Sequence, residues 1–141
     1  MVNRRLLFIS LIVTPIILID QIAKFFLFGK ELKILSFLEI YPVENTGTAF
    51  GLFPGSSLLL GIIALIFVIL IFIYINRFPD NRITNISLGL IAGGALGNML
   101  DRLLVGFVRD FISLSFIPSF NVADAAITAG AVLLIFSSMK T

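Results

Sequence analysis

The sequence predicts an all-α integral membrane protein of four transmembrane helices with a small extracytoplasmic β-rich element. Three observations carry that prediction. The chain is 59% hydrophobic and only 13% charged, with a mean hydropathy of +1.13, whereas a soluble domain is about a quarter charged. Four apolar runs are long enough to cross about 30 Å of hydrocarbon. Between the first two lies a stretch of mixed polarity punctuated by turn residues. With 141 residues in all, a single membrane-embedded domain, 1–141, accounts for the chain.

The first span covers about 6–28. Arg4 and Arg5 precede it, Pro15 lies inside it, and Asp20, Gln21 and Lys24 stand near its far end. Its outline is that of a signal peptide, but no small-residue cleavage site follows, so it reads as a retained helix. The second span, about 58–75, carries no charge. The third, about 83–100, places Gly89, Gly93 and Gly97 on one helix face, where small residues let helices pack closely in lipid. The fourth, about 122–139, repeats that spacing with Ala126 and Gly130.

The connection at about 29–57 contains KELKILSFLEIYPVENTGTAFGLFPG. It alternates apolar and polar residues and has turn signals at Asn45–Gly47 and Pro54–Gly55. That pattern predicts a small β-rich element on the outer face. Arg4, Arg5, Arg77, Arg82 and Lys140 flank the opposite ends of the spans. The positive-inside rule puts those ends, and both termini, in the cytoplasm.

Composition excludes several chemistries. There is no Cys and no His, which removes thiol catalysis, imidazole bases and the usual zinc sites. The basic residues are scattered, so the net charge of +2 does not point to nucleic acid.

The chemistry concentrates between Gly93 and Asp124, where Asp101, Arg102, Arg109, Asp110 and Asp124 interrupt apolar sequence. Charge beside or within a membrane is costly and reads as functional. Asp20 and Lys24 are four apart on one helix face and make a favourable pair. Asn98, Asp101 and Arg102 share the end of the third span as a hydrogen-bonded frame. Asn121 precedes the fourth span as a helix cap, and Asp124 falls in its first turn, where the helix dipole favours an acid.

Asp110 has no such structural account. It sits in VRDFISLSFIPSF, too short to span and broken by Pro118. Folded back at the membrane surface, that segment brings Asp110 to Asp124. Two carboxylates in one low-dielectric site cannot both ionise easily, so one pKa rises. The pair then offers a base to activate water and an acid to protonate a departing nitrogen. A serine hydrolase using Lys24 as base to Ser113, Ser115 or Ser119 is a rival, disfavoured because Asp20 holds Lys24 in its charged form.

Five segments in order resemble the lipoprotein signal peptidase (signal peptidase II) family: DQIAK (Asp20 to Lys24), NTGTAFG (Asn45 to Gly51), GGALGNMLDR (Gly93 to Arg102), GFVRDF (Gly106 to Phe111) and FNVADAAI (Phe120 to Ile127). The resemblance implies a bacterial membrane aspartic endopeptidase with Asp110 and Asp124 as its catalytic dyad. It implies substrate-binding or supporting roles for Asp20, Lys24, Asn45, Asn98, Arg102 and Asn121; Arg109, beside the dyad aspartate, stands where more variation is expected, and its influence on the neighbouring pKa is left open. It further implies four transmembrane helices with a β-cradle in the cytoplasmic (inner) membrane. The implied substrate is a prolipoprotein bearing diacylglycerol on a cysteine, cut just before that cysteine. No metal or organic cofactor is implied. Membrane lipids are the expected surroundings, and the expected state is a monomer. The alternatives are a small non-enzymatic transporter or channel, and a membrane scaffold built on the glycine face.

Overall fold

The computed structural model describes residues 4–47 and 55–139. The end of the NTGTAFG segment, Pro54 and Lys140 lie outside the described residues. The chain is mostly helical. Helices α1 (Arg4–Leu27), α2 (Ser57–Ile73), α3 (Arg82–Leu104) and α4 (Val122–Ser138) form the bundle. Strands β1 (Leu32–Leu35), β2 (Leu38–Asn45), β3 (Val108–Leu114) and β4 (Ile117–Phe120) form one antiparallel sheet in the order β1-β2-β3-β4. By length and composition, α1 and α3 are long and apolar enough to cross a membrane. The 17-residue α2 and α4 are about 25 Å long at 1.5 Å per residue.

Helix α3 is the hub, packed on α1, α2 and α4. Its glycine face works as the spacing predicts. A Cβ added at Gly89 would lie 2.8 Å from Ile12, at Gly93 2.9 Å from Ile16, and at Gly97 2.8 Å from the Asp20 carboxylate. The three partners are themselves four residues apart on α1, so the two helices mesh along one seam. On the other side, a Cβ at Gly94 would collide with the Ala123 carbonyl oxygen of α4. Ile9, Val13, Val68, Ile71, Leu88, Ile91, Ala92 and Ala95 fill the core between these contacts.

The two ends of the bundle are chemically distinct. At one end, Arg5 Nε donates to Asn85 Oδ1 at 2.9 Å, and Asn85 Nδ2 donates to Asp80 at 2.8 Å. Thr84 and Ser137 hydroxyls meet there at 3.0 Å. The start of α1, the α2–α3 link and the end of α4 therefore share one end, as the basic flanks require. The sheet and the remaining buried charges occupy the other.

The sheet differs from expectation in its source. The sequence reading confines β structure to 29–57, yet half the strands come from 108–120. Helix α3 stops where the Val105 and Gly106 amides both return to the Asp101 carbonyl, at 2.8 and 3.1 Å. Gly106 adopts φ 90°, a conformation cheap only for glycine, and turns the chain into β3. Pro118 is accommodated because β4 is an edge strand, where no ladder donor is needed. The β2–β3 register shifts between Ile40 and Val43, so that Val43 faces Asp110. Tyr41 and Pro42 there oppose the single residue Phe111, and a bulge is where a sheet tolerates proline.

Candidate active site

The site forms where β2, β3 and the facing ends of α3 and α4 enclose a cavity of about 1050 Å³. Asp110, Asp124, Asn45, Asn98 and Arg102 all line it. Asp110 and Phe111 are buried on β3, and Asp110 is only 1% exposed. Its carboxylate accepts from Asn45 Nδ2 at 3.0 Å and from Asn121 Nδ2 at 2.7 Å.

Asp124 arrives by helix capping. Asn121 is the N-cap of α4, accepting from the Asp124 amide at 3.0 Å, while Asp124 accepts from the Asn121 amide at 3.2 Å. This reciprocal capping box satisfies two otherwise orphaned amides. The second Asp124 oxygen accepts from Asn98 Nδ2 at 2.7 Å. Asn98 Oδ1 in turn accepts from Asn121 Nδ2 at 3.0 Å and from Lys24 Nζ at 3.0 Å. An unbroken chain thus runs Asp110–Asn121–Asn98–Asp124, with a lysine charge beneath it.

Burial pushes the Asp110 carboxyl up to about 6, and the negative Asp124 adds to the rise; hydrogen bonds from Asn45 and Asn121 and the Lys24 charge partly offset it. A carboxylic acid so placed still holds its proton in mildly acidic solution, where most surface carboxyls have lost theirs.

Behind the cavity wall lies a buried ion cluster. Lys24 Nζ contacts Asp20 at 2.8 Å and Asp101 at 3.1 Å, and all three side chains are fully buried. The predicted Asp20–Lys24 pair is therefore real, and it serves the tertiary fold as well as α1, since Asp20 also accepts from the Ala123 amide at 2.9 Å. Lys24 is consumed by Asp20, Asp101 and Asn98. Ser113 and Ser119 pair with each other at 2.7 Å, so the lysine–serine rival has no geometry behind it.

Arg102 lines the cavity and donates to the Gly47 carbonyl at 3.2 Å. Its Nε is buried without a partner among the described residues.

Comparison with known proteins adds the family. The family model described as signal peptidase (SPase) II matches residues 12–140. The chain belongs to the signal peptidase II family. It is therefore a peptidase and a membrane protein, and the transporter reading falls away. Among its relatives, the lipoprotein signal peptidase of Aquifex aeolicus is 43% identical over 96% of this chain and 87% of its own length. That of Syntrophomonas wolfei is 42% identical over 85% of each chain. A solved structure described as a bacterial membrane enzyme is 30% identical, with a TM-score of 0.84 over 94% of this chain and 87% of its own.

All eight site residues expected from the sequence lie in or directly behind this cavity. The sequence reading missed two others. Gln21 donates to Asp20, Asp101 and the Gly97 carbonyl at 3.1 to 3.3 Å. Arg109 is gripped by Asp101 at 2.7 Å and by Gln21 at 2.9 Å. The available signal for Gln21 was an uncharged polar residue next to an acid in an apolar helix. For Arg109 the signal was its charge among apolar residues, but its Gln21 partner lies far away in sequence.

Proposed function

We propose that this chain is an aspartic endopeptidase in which Asp110 and Asp124 act as one dyad on a water molecule. One observation carries the reading: both carboxyls line a single cavity and are linked by Asn121 and Asn98. With one proton shared between them, the ionised carboxylate takes a proton from water, and the oxygen adds to the scissile carbonyl carbon. The protonated partner then gives its proton to the departing nitrogen as the C–N bond breaks. The buried Lys24 charge partly offsets the rise that burial imposes on Asp110.

The substrate we infer is a prolipoprotein whose cysteine carries diacylglycerol, cut just before that cysteine. Support comes from the names of the relatives and from the largely apolar walls around the dyad, including Val43, Ile117, Phe120 and Ile127. Asn45 and Arg102 are proposed to orient the peptide. Water and two carboxyls suffice, with no cofactor.

We read all four helices as spanning the inner membrane of a bacterium, with the termini in the cytoplasm and the dyad towards the outer face. The separation of basic flanks from the acid-rich end supports this. Every proposed site residue lies on one chain, so a monomer suffices.

Purified protein incubated with a diacylated prolipoprotein should release the signal peptide, with or without a strong chelator. Asp110→Asn and Asp124→Asn should each abolish release. Turnover persisting in both variants would sink the dyad.

A further inference from the structure

Adjacent residues on a strand point to opposite faces. On β3, Asp110 faces the cavity, so Arg109 faces the helices behind it. There its Nη2 donates to Asp101 Oδ1 at 2.7 Å and to Gln21 Oε1 at 2.9 Å, and its Nε reaches the same Asp101 oxygen at 3.3 Å. The Arg109 amide donates to the other Asp101 oxygen at 2.9 Å. Asp101 therefore grips both the main chain and the side chain of the residue next to Asp110.

This is not a solvated surface pair. The Arg109 side chain is 18% exposed and that of Asp101 is fully buried. The guanidinium also completes the charge balance: Asp20 and Asp101 face Lys24 and Arg109 in one cluster. The same cluster reaches the second carboxyl, because Lys24 donates to Asn98 and Asn98 to Asp124. A closed circuit thus joins the two acids from behind. A planar arginine fork fixes direction as well as charge.

We propose that Arg109 is a positioning residue for the reaction, its fork on Asp101 and Gln21 fixing the strand that presents Asp110 to Asp124. The inference rests on the dyad reading above. Arg109, Asp101 and Gln21 do not line the cavity, so loosening this anchor should act on the chemical step more than on substrate binding. A misplacement of about 1 Å can cost on the order of 100-fold in rate.

The test is steady-state cleavage of a diacylated prolipoprotein by detergent-purified variants, with folding followed by thermal unfolding. Arg109→Gln should lower kcat about 10- to 100-fold with KM within about threefold of wild type. Arg109→Lys, which keeps the charge and loses the fork, should recover part of that kcat. Gln21→Met removes one of the two guanidinium partners and should lower kcat several-fold at unchanged KM, which keeps the proposal testable if Arg109→Gln does not fold. A folded Arg109→Gln with wild-type kcat would overturn the proposal, as would Arg109→Lys no faster than Arg109→Gln, or Gln21→Met at wild-type kcat. Asp110→Asn is run in parallel: if it is inactive while Arg109→Gln is fully active, the Arg109 inference alone fails; if Asp110→Asn cleaves normally, the dyad reading fails first.

Discussion

Asn121 donates to the Asp110 carboxylate at 2.7 Å with the same side chain that caps the helix carrying Asp124. One residue therefore sets both carboxyls, one by hydrogen bond and one by where α4 begins. These two roles are separable. Asn121→Ser keeps a capping oxygen but loses the amide donor. It should unfold close to the wild-type temperature and lose at least tenfold in kcat/KM. Asn121→Ala should lose both, with stability falling about 1–2 kcal/mol from the cap alone. Unfolding and cleavage measured on the two variants check this.

The pH dependence follows from Asp110. Its rise to about 6 is driven by burial and then by the charge on Asp124, so the proton of the proposed pair is expected to leave near that pH. Above about pH 6 the free enzyme loses that proton. We expect kcat/KM to fall with a one-proton slope on the alkaline side of about 6. The fall in kcat should come at higher pH, because bound substrate excludes water and favours the neutral acid further. Linkage gives a second readout. A folded-state pKa raised above the ordinary 3.8 contributes stability that is complete below that value. It is lost as pH rises to about 6. An acid limb with no alkaline decline would contradict the assignment.

The α3–α4 seam makes a steric prediction. Gly94→Ala sets a methyl against the Ala123 carbonyl and 2.7 Å from Ile127. Neither helix can yield without moving Asp124, so the expected loss is about 1–3 kcal/mol together with most of the activity. At Gly29 an added Cβ meets nothing within 4 Å, and the cost is confined to its φ of 88°. Gly29→Ala should cost about 1 kcal/mol and leave kcat unchanged. Paired unfolding and turnover measurements distinguish packing from backbone strain.

Lys24→Met removes the charge between Asp20 and Asp101. Breaking a buried pair from one side leaves uncompensated charge and costs about 3–5 kcal/mol. The variant should be the least stable of those named here, and Lys24→Arg should not restore it, since the site holds three contacts to one compact nitrogen. Thermal unfolding in detergent reports both.

Local features were legible in the sequence. The glycine face, the Asn121 cap and the Asp20–Lys24 pair are set by spacings of three or four residues on a helix, and they formed as read. Asp110 stood out because no structural role at its position offset its cost, and Asp124 was the acid a fold-back could bring to it. What escaped was long-range pairing. VRDFISLSFIPSF looked like an apolar fold-back because Pro118 suggested a break. That proline fits an edge strand, and which strand is an edge depends on β2, more than sixty residues earlier. Arg109 likewise found Gln21, 88 positions away. No periodicity encodes a partner at that distance.

The intrahelical pair on α1 has a consequence for how the protein is made. Asp20 and Lys24 lie on successive turns of one helix, so their 2.8 Å contact needs no other part of the chain. Helix α1, made before α2, α3 and α4, carries its own counter-ion. It can leave the translocation channel for lipid as a neutral dipole and not as two bare charges. Once α3 follows, Asp101 and Asn98 can join a lysine that is already housed, so α1 would seed the hydrophilic heart of the enzyme.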